Sequence, residues 1–191
     1  MMRSLVSLRD AVPEDAEALT ELWAGTLRRC EHTDQVADIV SIIERVDTVD
    51  DERLVVADYD GELAGAVHLR ATTVTPINLE PVVQTISPHV FPHFRRHGVG
   101  RALMESAVAF AEERGISLIA SAAASGSRDA NRFMARLSLG PYAVLRVAST
   151  HAVKSRLSAQ RPAAARTGGR QLTQVLAARR SLRRSEPTPS S

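Results

Sequence analysis

The feature that most constrains this sequence is a strand, a glycine turn and a helix that follow one another without interruption. The segment from Val82 to Phe91 is predicted as a strand, and Pro88 inside it predicts a bulge or the end of regular pairing. Gly98 and Gly100 follow in a tight turn. From Val99 to Arg114 apolar residues recur at helical spacing. A strand that leads directly into an amphipathic helix is typical of folds that combine a sheet with helices.

The apolar patterns on either side of this unit predict the remaining helices and strands. Asp60-Gly61 separates two apolar runs, which is a strong signal for a β-hairpin. The second helix is expected to be capped by Thr33 or Asp34. Strands are predicted at 5–10, 54–58, 63–69, 116–122 and 142–148, and further helices at 13–27, 33–46, 127–137 and 149–159. The order β-α-α-β-β-β-α-β-α-β predicts an α/β fold with a central mixed sheet flanked by helices.

Charge is divided unevenly along the chain. Residues 1–150 carry 15 Arg and 21 acidic residues, whereas residues 151–191 carry eight Arg, Lys154 and only Glu186 as an acid. We therefore predict a folded domain at 1–150 and a basic C-terminal extension at 151–191. The extension is expected to begin with a short helix and to be mostly disordered beyond residue 160, where Pro, Gly, Ser and Ala dominate.

Several classes of protein are excluded or disfavoured. No stretch approaches the roughly 18 apolar residues of a membrane span, and the first ten residues lack the apolar segment of a secretory signal. Cys30 is the only cysteine, so an internal disulfide is excluded and a reducing, cytoplasmic location is expected. His89, His93 and His97 recur every four residues, but Pro88 and Pro92 prevent a helix that would align them. We predict no metal site.

The turn at residues 95–101 has the properties of an anion-binding site. The first N–H groups of a helix have no partner within the helix and lie at the positive end of its dipole. Gly98 and Gly100 let the backbone approach a phosphate, while Arg95, Arg96 and Arg101 add positive charge. The alternative is a turn that needs its glycines for packing alone.

This turn resembles the pyrophosphate loop of the GNAT superfamily of acyl-coenzyme A N-acyltransferases. That loop is written Arg/Gln-x-x-Gly-x-Gly/Ala, which Arg95-x-x-Gly98-x-Gly100 satisfies. Residues 127–140 resemble the second signature of the family, in which a helix led by Asn or Ser, with an Ala-x-x-aromatic-Tyr core, ends near Leu-Gly. The predicted elements also follow the family order through most of the chain.

The resemblance implies a GNAT-like fold and an N-acetyltransferase that moves the acetyl group of acetyl-CoA to a primary amine of a small molecule or peptide by direct attack. It implies that the strand before the loop splays from the next strand, that the pantetheine arm lies between them, and that a backbone N–H near Val90 binds the oxyanion. The short side chains at 121–127 leave room for such a ligand, unless they form only a flexible loop. The residues that the resemblance places against acetyl-CoA are Val90, Phe91, Arg95, Arg96, His97, Gly98, Val99, Gly100, Arg101, Ser127 and Asn131.

The sequence leaves several candidates for the catalytic groups. Family members often use a tyrosine on the helix of the second signature to protonate the leaving thiolate, and Met134 stands at that position here. Tyr142 is a candidate substitute, with packing in a strand as its alternative. Glu80 and His89 are the candidates for the base. The alternative for Glu80 is a solvated loop residue, and the alternative for His89 is a partly buried, hydrogen-bonded histidine.

Three functions are compatible with these observations: an N-acetyltransferase, a catalytically silent acyl-CoA-binding sensor, and an RNA- or ribosome-associated protein that uses the basic tail. The amphipathic segment 171–184 predicts a weak, salt-sensitive contact with nucleic acid or an anionic surface. A helix at 149–159, where the family usually has a strand, would leave a sheet edge for a second copy to cover, which suggests a homodimer. The charge of −6 on residues 1–150 favours a cationic acceptor amine.

Overall fold

Five strands and five α-helices are formed by the described residues, 6–122 and 127–160, of this computed structural model. The strands are β1 (Val6–Asp10), β2 (Glu52–Tyr59), β3 (Glu62–Thr73), β4 (Pro81–Val90) and β5 (Ile119–Ser121). The helices are α1 (Ala16–Leu22), α2 (His32–Val46), α3 (Val99–Glu113), α4 (Arg128–Arg136) and α5 (Thr150–Ala159). The chain divides into two units between Gly140 and Pro141, and of the elements named here only α5 belongs to the second.

The strands form one mixed sheet in the order β1-β2-β3-β4-β5. The first four are antiparallel neighbours, and the predicted hairpin at Asp60-Gly61 joins β2 to β3. β5 lies parallel to β4 but pairs with it only where Val83–Thr85 faces Ile119–Ser121. Beyond Thr85, therefore, β4 is paired with β3 on one side, while on the other side the described chain provides no strand.

Two hydrophobic clusters hold helices against opposite faces of the sheet. Successive side chains of a strand point to opposite faces, and β2 shows this alternation: Leu54 and Val56 join the cluster with α1 and α2, whereas Val55 and Ala57 join the cluster with α3. Phe110 is fully buried in the second cluster. The predicted fold, a mixed sheet flanked by helices, is confirmed.

The predicted irregularity at Pro88 is confirmed as a bulge in β4. Ala66 of β3 faces His89, but His68, two residues further along β3, faces Ile86, so β4 contains one additional residue. Ser87 adopts the left-handed backbone conformation there, with φ of 48°. An L-residue in this conformation is strained by roughly 1–2 kcal/mol, so its neighbours must hold it in place.

A cluster of ion pairs around Glu52 connects β2, β3 and α2. The carboxylate is 9% exposed, lies 2.6 Å from Arg45 and 2.9 Å from Nε2 of His68, and has Arg70 at 3.6 Å. Burial opposes ionisation of Glu52, but the hydrogen bonds from Arg45 and His68 outweigh it and hold the pKa of Glu52 below its usual value. Burial lowers the pKa of His68, and the nearby Glu52 only partly offsets this.

The strand predicted at 142–148 is not formed. Residues 141–149 have no regular structure, and four of their apolar side chains are 71–91% exposed: Tyr142, Val144, Leu145 and Val147. A strand is stabilised by hydrogen bonds to a neighbouring strand. The described part of the second unit contains no strand that could be this neighbour. The helix predicted immediately afterwards is confirmed as α5.

Three boundaries also differ from the prediction. α1 ends at Leu22 and not near residue 27, because the chain turns at residues 23–26. The residue that precedes α2 is Glu31, whose backbone is extended, and Thr33 and Asp34 already lie in the first turn. The parallel strand is shorter than predicted, since only 119–121 are paired in it.

Other predictions are not tested by this structure. The expected tail disorder and the amphipathic segment 171–184 lie outside the described residues, as do residues 123–126 of the small-residue run. The division at residue 150 and the homodimer remain predictions. Within the described ranges, no helix has both the length and the apolar character needed to cross a membrane.

Candidate active site

The first backbone N–H groups of α3 follow directly after the glycine turn. Gly98 is the residue before the helix and has φ of 87°, which favours glycine, and Arg96 is also left-handed, with φ of 67°. No side chain caps this end of the helix, and the first helical bond runs from the N–H of Ala102 to the carbonyl of Gly98. The three preceding N–H groups therefore remain for a ligand.

A cavity of about 550 Å³ opens beside this turn, between the C-terminal end of β4, the start of α3 and one side of α4. The residues predicted to contact acetyl-CoA that line it are Val90, Arg95, Arg96, Gly98, Gly100, Arg101 and Ser127. His89, the candidate base, lines it as well. The structure thus brings together the residues of the turn, the end of the preceding strand and the cap of α4.

Four of the residues assigned to the coenzyme by resemblance are not in this lining. Val99 is buried in the core under α3, and Phe91 packs against the cluster of α1 and α2. The ring of His97 lies 4.9 Å from that of Tyr59. Asn131 donates from Nδ2 to the carbonyl of Ser127 at 2.7 Å. Their contacts with a coenzyme remain predictions.

Most of what α4 contributes to the cavity was not predicted from the sequence. Its cavity-lining residues are Asp129, Ala130, Arg132, Phe133, Met134 and Arg136. With the three arginines of the turn, five guanidinium groups and one carboxylate surround the cavity. The clustering of basic residues on α4 was visible in the sequence, but which side of the helix faces the turn was not. The resulting field favours a polyanionic ligand.

The candidate catalytic residues belong to three different parts of the described chain. His89 lies at the cavity, and its Nδ1 is 3.2 Å from the carbonyl oxygen of Ser87. Glu80 is exposed in the loop before β4, where its N–H donates to Asn78, and it is not among the residues that line the cavity. Tyr142 belongs to the second unit, and its side chain is 79% exposed. Both roles stay predictions.

Met134 occupies the cavity wall with only 8% of its surface exposed. A thioether cannot donate a proton.

His93 and His97, which share the spacing of His89, contact Phe94 and Tyr59 respectively. The described ranges contain no group of three His, Cys, Asp or Glu side chains that could hold a metal ion.

A mixed sheet whose parallel strands β4 and β5 pair over only three residues, beside a helix N-terminus and an arginine-lined cavity, is the arrangement expected of an acyl-coenzyme A N-acyltransferase. The chain belongs to the GNAT acetyltransferase family, since the model of the Acetyltransferase (GNAT) family matches residues 16–139. It is therefore a GNAT family acetyltransferase, and this family uses acetyl-CoA and acts on amines. No curated protein matches the sequence significantly.

Solved structures share the fold at low sequence identity. A transcriptional regulator from Bacillus halodurans C-125 superposes with a TM-score of 0.65 at 21% identity, over 75% of this chain and 99% of that one. Glucosamine-6-phosphate N-acetyltransferase from Arabidopsis thaliana gives 0.61 at 13% identity, over 76% and 98%. Aminoglycoside N-acetyltransferase AAC(6')-Iy, solved in complex with CoA, gives 0.60 at 19% identity, over 76% and 95%. At these identities the likeness supports the fold alone.

Proposed function

We propose that this chain transfers the acetyl group of acetyl-CoA to a primary amine of a small molecule or peptide by direct attack, within the cavity between β4 and α4. The observation that carries the proposal is the glycine turn at the start of α3, whose N–H groups open into a cavity with five arginines. A diphosphate fits that arrangement because it needs several donors and positive charge at one point.

The rest of the cavity suits the remainder of a coenzyme. Its volume of about 550 Å³ lies in the usual range of small-molecule sites. The part of β4 from residue 86 onwards is not paired with β5, so its backbone is a candidate for hydrogen bonds to the amides of a pantetheine arm. Bound acetyl-CoA supplies an activated thioester; the protein has to bind it, receive a proton and stabilise an oxyanion.

The acceptor amine presents a protonation problem, for which His89 is the candidate base. A lysine-like amine has a pKa near 10.4, so having it neutral at pH 7 costs roughly 4.6 kcal/mol. His89 is the candidate acceptor of a proton at the cavity wall, and the backbone N–H of Val90 is the candidate oxyanion donor. The departing thiolate, with a pKa near ~8.5, is a fair leaving group without an acid.

Two measurements test this function. Calorimetry with acetyl-CoA should detect binding that is lost with acetyl-pantetheine, which lacks the diphosphate. Thiol release should then be measured over a panel of amines that includes a polyamine, an aminoglycoside and a basic peptide. Arg132→Gln should weaken acetyl-CoA binding by about 10- to 150-fold, since a charged hydrogen bond contributes ~1.5–3 kcal/mol. The matched control is Arg128→Gln on the same helix, because Arg128 does not line the cavity.

Met134 favours a second candidate function, an acyl-CoA-binding sensor without turnover. A methionine in the cavity wall cannot act as the acid that family members often supply from this position. Tight binding of acetyl-CoA without acetylation of any amine in the panel would support the sensor. Absence of acetyl-CoA binding by folded protein would refute both functions.

A further inference from the structure

The carbonyl group of Ser87, in the bulge of β4, is approached by donors from two directions. Nε1 of Trp23 lies 2.8 Å from this oxygen, and Nδ1 of His89 lies 3.2 Å from it. A carbonyl oxygen has two lone pairs and can accept both bonds. The bulge therefore brings the end of α1 and a residue of the cavity wall to a single acceptor.

Trp23 is held rigidly in this position. It follows the last residue of α1, is 6% exposed and belongs to the hydrophobic cluster of α1 and α2. The carbonyl of Trp23 accepts hydrogen bonds from the backbone N–H and from the hydroxyl group of Thr26. Since Ser87 has the left-handed φ of 48°, the indole N–H also stabilises a strained backbone conformation.

The bond to Ser87 determines the tautomer of His89. A carbonyl can only accept, so Nδ1 of His89 has to carry the hydrogen, and in the neutral ring Nε2 then carries the lone pair. A base needs that lone pair, and His89 lines the cavity. The other tautomer would present an N–H at Nε2, which cannot receive a proton.

We propose that Trp23 is a positioning residue that fixes the carbonyl of Ser87 and thereby keeps His89 in the tautomer with a free Nε2. The proposal rests on the proposed function and adds the group that receives the proton. As the neutral amine nitrogen bonds to the acetyl carbon, the carbon–sulfur bond breaks and its electron pair leaves on the coenzyme sulfur. Nε2 of His89 takes up the proton that the ammonium form of the amine loses before this attack and passes it to solvent. It then takes up the second proton, which the nitrogen loses as the amide forms.

The test combines spectroscopy and kinetics on Trp23→Phe, which keeps an aromatic ring but lacks the N–H. In protein labelled with ¹⁵N-histidine, long-range ¹H–¹⁵N spectra distinguish a protonated from an unprotonated ring nitrogen, and His89→Gln assigns the signals. We expect Nδ1–H in the wild type and a mixture of tautomers in Trp23→Phe. The kcat should fall at least about tenfold in this variant, with the KM for acetyl-CoA within about twofold. In His89→Gln the kcat should fall about 10²-fold or more.

Two further variants separate positioning from packing. Leu22→Val alters the same hydrophobic cluster without a bond to Ser87, and it should leave the tautomer and kcat unchanged. Trp23 is the only tryptophan in the chain. Its replacement by 3-benzothienylalanine therefore removes the N–H at one place while keeping the shape of the ring, and covers the case in which Trp23→Phe does not fold.

The possible failures are distinguishable. If Nε2 of His89 carries the hydrogen in the wild type, or if both Trp23 variants keep the wild-type tautomer and kcat, the positioning role is refuted while acetylation stands. If the wild type binds acetyl-CoA but acetylates no amine, the proposed function fails and the role of His89 as a base fails with it.

Discussion

Replacement of Gly100 by alanine separates the two explanations of the glycine turn. Gly100 is the second residue of α3 and lines the cavity. A Cβ atom built there would lie 3.7 Å from Cζ of Phe133 and 3.7 Å from Cγ2 of Val90, which are ordinary van der Waals distances. The folded protein without ligand therefore has room for a methyl group at this position. A diphosphate lying against the backbone would collide with that methyl group.

The two expected effects have opposite signs. Alanine in place of a helical glycine stabilises a protein by up to about 1 kcal/mol, which corresponds to a rise in Tm of at most roughly 4 °C at this chain length. If the methyl group displaces one charge-assisted hydrogen bond to phosphate, binding weakens by about 1.5–3 kcal/mol. The Kd for acetyl-CoA should then rise by about 10- to 150-fold.

Thermal unfolding and calorimetry with acetyl-CoA measure the two effects on the same preparation. Gly25→Ala is the matched control, since Gly25 has no atom within 4 Å of a built Cβ and does not line the cavity. An unchanged Kd for Gly100→Ala would refute the placement of the diphosphate at this turn. A Tm lowered by several degrees would show that the glycine serves packing.

Two further predictions concern stability. In Gly65→Ala the new Cβ would lie 2.6 Å from the carbonyl oxygen of His89. We therefore expect the free energy of unfolding to fall by about 1–3 kcal/mol and the Tm by roughly 2–12 °C, in contrast to Gly25→Ala. A wild-type Tm in Gly65→Ala would contradict this close approach. Because the pKa of His68 is lowered by folding, the unfolded chain binds more protons below about pH 6.5, and the free energy of unfolding should fall as the pH drops from 7 towards 5. In urea titrations, the free energy of unfolding of His68→Gln should not show this fall with pH. If it changes with pH as steeply in His68→Gln as in the wild type, the prediction is refuted. The lowered pKa of Glu52 adds stability that is lost only at lower pH, below about 4.5.

The local pattern of the sequence determined the elements that rest on contacts between near neighbours. Asp60-Gly61 forms the hairpin because its turn depends on the two residues themselves, and Pro88 forces a bulge because it has no N–H to pair. The spacing of glycines and arginines at 95–101 likewise identified the turn that starts α3, and that turn opens into the cavity.

Tertiary structure alone decided which distant residues meet. The apolar run at 142–148 has the composition of a strand, but pairing requires a neighbour, and within its unit the described chain offers none. The side of α4 that faces the turn, and the hydrogen bond from Trp23 to a carbonyl 64 positions away, depend on how helices settle against the sheet. Packing is a property of the assembled core, so residue types and spacing cannot specify it in advance.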